Sequence, residues 1–101
     1  MTERVVKIGG RALGEPGWLQ AFAVEAASLG PGLVVVHGGG PEITALSSRL
    51  GLVTVWEGGR RVTTPEALGV AAMVLSGSIN KRVVSALQGA GLDALGLSGE
   101  D

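Results

Sequence analysis

Leu33-Val34-Val35-Val36-His37-Gly38-Gly39-Gly40-Pro41 decides the fold, because Val5-Val6-Lys7-Ile8-Gly9-Gly10 has the same plan twenty-eight residues earlier. Each is a short apolar run that ends on consecutive glycines. β-Branched residues without polar alternation fit a strand covered on both faces. Glycines behind such a strand leave no Cβ between the backbone and an incoming group, so several N–H donors can converge on an anion. A helix opening directly after the loop adds its positive N-terminus. Lys7, one residue ahead of Ile8 and the first loop, adds a mobile full charge. The combination suits a phosphate, or a carboxylate about to become one.

Working outward, Trp18 to Leu29 carries Leu19, Phe22, Ala23, Ala26 and Leu29 at helical spacing and is stopped by Gly30-Pro31-Gly32. Arg4–Ile8, this helix and Leu33–Val36 therefore form a parallel β-α-β unit. Pro41 suits the first turn of the next helix, which Ile43, Leu46 and Leu50 continue to Gly51. Leu52–Trp56 and Arg60–Thr63 read as a hairpin about Glu57-Gly58-Gly59. A helix opens at Thr63-Thr64-Pro65-Glu66, with either threonine as N-cap. Leu68, Ala71, Ala72 and Leu75 give its apolar face, and Gly77 is expected to end it. Asn80–Leu87 is a further helix and Ala94–Leu97 a third buried strand, after which Ser98-Gly99-Glu100-Asp101 is a loop. The expected class is α/β, a three-layer sandwich with a mainly parallel sheet between helices. Its three parallel strands and one hairpin are few for a doubly wound sheet, so it reads as truncated.

Bulk properties narrow the function. The eighteen glycines among 101 residues greatly exceed the roughly 7% usual share, yet they punctuate apolar runs instead of forming a low-complexity block. A net charge of −1 gives no reason to expect nucleic acid or an anionic membrane as partner. The absence of cysteine excludes disulfides and thiolate chemistry, and a single histidine argues against a histidine-built metal centre. Met1–Arg4 is polar, unlike the start of a signal peptide, and the apolar stretches fall short of the roughly 20 residues of a membrane span. A cytoplasmic protein is the expectation.

Neither glycine loop follows G-x-G-x-x-G or the P-loop pattern. Instead, Lys7-Ile8-Gly9-Gly10, His37-Gly38-Gly39-Gly40-Pro41, Gly59-Arg60-Arg61-Val62-Thr63, Asn80-Lys81 and Gly96-Leu97-Ser98-Gly99-Glu100-Asp101 resemble, in order and approximate spacing, motifs of the amino acid kinase family. The likeness is greatest to its N-acetylglutamate-phosphorylating branch and covers nearly the whole chain, but only the amino-terminal part of such an enzyme. It implies phosphoryl transfer from ATP, with Mg²⁺, to the side-chain carboxylate of N-acetylglutamate, a step of arginine biosynthesis. It also implies that residues 1–101 are the acyl-amino-acid-binding lobe, that the nucleotide-binding half is absent, and that the chain alone is inactive. A homodimer or higher homo-oligomer is a further implication. Alternatives are a kinase lobe for carrier-linked aminoadipate or glutamate, and a non-catalytic module that binds an acyl amino acid.

Lys7 at a strand end could be a snorkelling surface charge or a phosphate ligand. The resemblance implies the second and makes it the catalytic residue, reaching the phosphate with Gly9 and Gly10. Gly38 and Gly39 would supply substrate-binding N–H groups. Arg61, immediately before Val-Thr, would clamp the substrate α-carboxylate through paired N–H bonds. Arg60 faces the other way along an extended segment and reads as surface charge. His37 is not needed as a base, since a carboxylate nucleophile is already ionised, and reads as orienting the loop. Asn80 and Lys81 are candidates to line the cleft, with a helix cap and an exposed charge as the alternative reading, while Trp18, Phe22 and Trp56 read as core or interface. No metal-ligating residue is assigned, and the Ser98–Asp101 loop receives no catalytic role.

Overall fold

The computed structural model describes residues 3–101, so the polar start read at Met1 and Thr2 lies outside the described residues. Strand β1 (Arg4–Ile8) leads through a short helix α1 (Gly10–Leu13) into helix α2 (Trp18–Leu29). Strand β2 (Leu33–His37) then lies parallel to β1, with Val5 beside Val34 and Ile8 beside His37. Helix α3 (Gly40–Arg49) follows, then a hairpin of β3 (Trp56–Glu57) and β4 (Arg60–Arg61). Helix α4 (Pro65–Ala72), a π-helical stretch (Met73–Ile79) and helix α5 (Asn80–Gly89) complete the regular elements. The α/β class, with a parallel sheet and helices packed against it, is the one expected.

The core joins Ile8 of β1, Leu19, Ala23 and Ala26 of α2, Ile43 of α3, and Val70, Val74, Ile79, Val83 and Leu87 of the long helical run. The strands are less symmetrically covered than their apolar runs suggest. Ile8 is 1% exposed, whereas Val5 is 72% and Val34 52% exposed, so one sheet face packs and the other stays open. A two-stranded sheet can be closed on one side by a few helices. Covering both faces takes more chain.

Three elements differ from the sequence reading. Gly77 does not end a helix: Pro65–Gly89 is one continuous rod of 25 residues. Ser76-Gly77-Ser78 lowers helix propensity, but Val74 and Ile79 on either side are buried, so packing holds the turn and the strain emerges as π-helix. This rod is long and apolar enough to cross a membrane by length and composition, which the search for apolar stretches missed. Val70, Val74, Ile79, Val83 and Leu87 place one face of it in the core, while Leu68 and Met73 are exposed, and it carries Glu66, Lys81 and Arg82. Next, Ala94–Leu97 is not a strand. It keeps a strand's alternation, but Leu95 and Leu97 point outward, and clefts of about 470 and 410 Å³ lie between it and β2. Finally, the hairpin strands have two residues each, because Gly58 and Gly59 (φ +57° and +78°) make a tight turn and Leu52–Thr54 runs free of the ladder.

The start of α4 settles the choice of cap. The Ala67 N–H donates to Thr64 Oγ1 at 3.1 Å, with Pro65 at the first helical position. Thr64→Ala is expected to cost about 1 kcal/mol, and Thr63→Ala far less, in urea unfolding followed by circular dichroism. Equal effects would reject Thr64 as the cap.

Candidate functional site

Parallel strands put their carboxyl ends at one edge, so the loops after β1 and β2 must emerge together. The Gly38 N–H continues the ladder by donating to the Ile8 carbonyl at 3.0 Å. The loops then approach so closely that a Cβ on Gly10 would stand 2.8 Å from Pro41 Cδ and 3.2 Å from both the nitrogen and Cα of Gly39. Only glycine fits at position 10. Gly39 is equally tight on its inner side, where a Cβ would meet Ile79 Cδ1 at 2.5 Å and Leu75 Cδ2 at 2.8 Å. Around Gly9 there is open space.

Lys7 curls over this junction. Its Nζ lies 3.7 Å from where a Gly38 Cβ would stand, and it has no ion-pair partner among the described residues. Arg61 comes in from the hairpin: Nη2 donates to the Gly40 carbonyl (3.3 Å) and to Thr44 Oγ1 (3.0 Å), while the guanidinium lies 4.7 Å from the centroid of the Trp56 ring. Those bonds use one nitrogen and leave Nη1 and Nε to bind a ligand. Trp56 is therefore an exposed platform for Arg61 and not part of the core. Arg60 faces solvent.

Gly9, Gly10, Gly38, Gly39, Lys7 and Arg61 thus meet at one end of the sheet, with one change of role. The Gly38 N–H is taken by Ile8, so the donors left to a ligand come from Gly39 and from the first turns of α1 and α3. Thr44 carried no signal in the sequence, because its contact with Arg61 spans seventeen positions and depends on where the hairpin docks. Trp18 and Phe22 stack on each other at 5.3 Å, away from this junction along α2.

His37 touches the second loop as expected, with Nδ1 3.0 Å from the Gly38 carbonyl, and Asn80 stands behind it. In the Ser98–Asp101 turn the Asp101 carboxylate accepts from the N–H and hydroxyl of Ser98, bonds that hold its pKa below the ordinary aspartate value, and Ser76 Oγ of the rod donates to Glu100 Oε1 at 3.1 Å.

A model of the amino acid kinase family matches residues 3–101. Acetylglutamate kinase from Frankia casuarinae is 50% identical over 100 residues, a match covering 96% of this chain and 28% of that protein. Acetylglutamate kinase from Brucella canis is 47% identical over 100 residues, with 96% and 34% covered. Among solved structures, N-acetylglutamate synthase from Neisseria gonorrhoeae, complexed with coenzyme A and L-arginine, matches with a TM-score of 0.64 at 29% identity, covering 96% of this chain and 23% of that one. The chain spans about a third or less of the length of these relatives.

Proposed function

The chain belongs to the amino acid kinase family, and from that premise we propose that it is the amino-terminal lobe that holds the acceptor in phosphoryl transfer from ATP to the side-chain carboxylate of N-acetylglutamate. The observation that carries this reading is the meeting of the Lys7 ammonium with both glycine loops at one sheet end. In the reaction, a carboxylate oxygen attacks the γ-phosphorus, the bond to the bridging oxygen breaks, and ADP leaves. No proton is removed from the nucleophile. What remains for the protein is positioning and charge, which a lysine and preorganised N–H groups supply. Arg61 fits the second carboxylate of the acceptor, because its free N–H groups form a planar fork. Lys7 and the glycine amides fit phosphate oxygens and would repel a cation. Mg²⁺ therefore belongs to this reading only as a companion of the nucleotide phosphates.

Calorimetric titration of the 101-residue chain with N-acetylglutamate tests the reading. Binding is expected, and Arg61→Ala is expected to weaken it about tenfold to a hundredfold, the loss of charge-assisted hydrogen bonds to a carboxylate. Equal affinity in both proteins would remove Arg61 from the site. In a coupled assay of ADP release, the chain is expected to turn over nothing, since the relatives are about three times longer.

A further inference from the structure

We propose that Asn80 is a positioning residue for the second glycine loop, acting through His37 to aim the Gly39 N–H. The inference deepens the phosphoryl-transfer reading and rests on it for the identity of the anion.

Asn80 is buried at the π-to-α junction of the long rod, and each atom of its amide is spoken for. Nδ2 lies 3.4 Å from the Leu97 carbonyl and 3.5 Å from His37 Nε2, while Lys81 Nζ lies 3.1 Å from Oδ1. A carbonyl can only accept and an ammonium can only donate, so the amide has one orientation. Nδ2 therefore donates to His37 Nε2, which must be the unprotonated nitrogen. The ring proton is then on Nδ1, 3.0 Å from the Gly38 carbonyl, which accepts it. With that carbonyl held toward the ring, the trans peptide turns the Gly39 N–H the opposite way. That nitrogen faces the first loop, 3.2 Å from where a Gly10 Cβ would stand.

The anchor is built in from behind as well. A Cβ on Gly96 would fall 2.1 Å from Asn80 Oδ1 and 2.8 Å from Val84 Cγ2, so residue 96 must be glycine for the segment to close over the amide. A surface asparagine capping a helix would need none of this. Asn80 instead sits inside a helical rod, with a histidine on one side and the backbone of residues 96 and 97 on the other.

The test reads the imidazole directly. Nitrogen-15 spectra of the 101-residue chain at about pH 8, above the ordinary imidazole range, are expected to show His37 with Nδ1 protonated and Nε2 bare. This needs no substitution, and a proton on Nε2 would overturn the proposal. Asn80→Asp places an acceptor where the donor was, so the proton is expected to move to Nε2, or a second proton to join the ring. Asn80→Ala is expected to give a mixture of tautomers. A variant that kept the wild-type nitrogen pattern would also reject the relay. Inorganic phosphate is the ligand probe: its apparent affinity, read from the Gly39 amide resonance, is expected to fall about tenfold in Asn80→Asp, the loss of one hydrogen bond to a charged group. Loss of affinity without any change in tautomer would count against the relay. A tautomer change with no phosphate response in wild type would support the relay and remove the phosphoryl-transfer reading.

Discussion

Ile79→Ala is expected to lower the stability of the chain by about 2–5 kcal/mol, the usual loss for truncating a buried isoleucine. Ile79 has no exposed surface, and its Cδ1 closes on the inner side of Gly39. The removed methyl and methylene groups would leave a cavity that the π-helical turn and the glycine loop can refill only by moving. Against a total of about 5–15 kcal/mol for an ordinary domain, such a loss is severe, and a 101-residue chain with an open sheet face starts low in that range. Urea unfolding followed by tryptophan fluorescence and circular dichroism would measure it. Val5→Ala, at an open position on β1, is expected to change stability by less than about 0.5 kcal/mol. A loss below 1 kcal/mol for Ile79→Ala would mean that the contact between rod and loop is not part of the core.

Gly10→Ala is expected to force the two glycine loops apart. The new methyl would press on the ring of Pro41 and on the backbone of Gly39, neither of which is the free end of a flexible side chain. Overpacking of this kind costs about 1–3 kcal/mol, and the shift falls on the donors that face the proposed anion. Gly9→Ala separates the two consequences. Residue 9 has φ −72°, an ordinary value for alanine, and open space around its Cβ position. Gly9→Ala is therefore expected to keep the stability of the parent and to weaken phosphate binding only by occupying the ligand's space. Stability and phosphate titrations on both variants would show it. If Gly10→Ala bound phosphate as the parent does, the loops would not act as one site.

The residues at the sheet end were legible because their pattern is local. Lys7-Ile8-Gly9-Gly10 and His37-Gly38-Gly39-Gly40 announce a strand, a turn and a helix start within a few positions, and a parallel pair brings the two together without further information. Where packing opposed propensity, the sequence reading failed. Gly77 between two serines looks like a stop, yet buried Val74 and Ile79 carry the helix through it. Ala94–Leu97 looks like a strand, yet Asn80 holds the Leu97 carbonyl and clefts separate the segment from β2. The partner of Arg61 was out of reach for a related cause, since nothing near residue 61 specifies Thr44 or the flat contact with Trp56.

The sequence by itself determined the α/β class, the edge at which the glycine loops emerge, and Arg61 over Arg60 as the inward arginine. These follow from strand periodicity, the freedom of residues lacking a Cβ and, for Arg61, the resemblance of Gly59–Thr63 to a motif of the family. Only the tertiary structure decided which N–H groups remain free, because the Gly38 donor is consumed by Ile8 across the sheet. It alone revealed the chain from Lys81 through Asn80 and His37 to the Gly38 carbonyl. A hydrogen bond depends on angles and on distances of about 3 Å, and such distances between residues forty positions apart are set only when the helices and the sheet have packed.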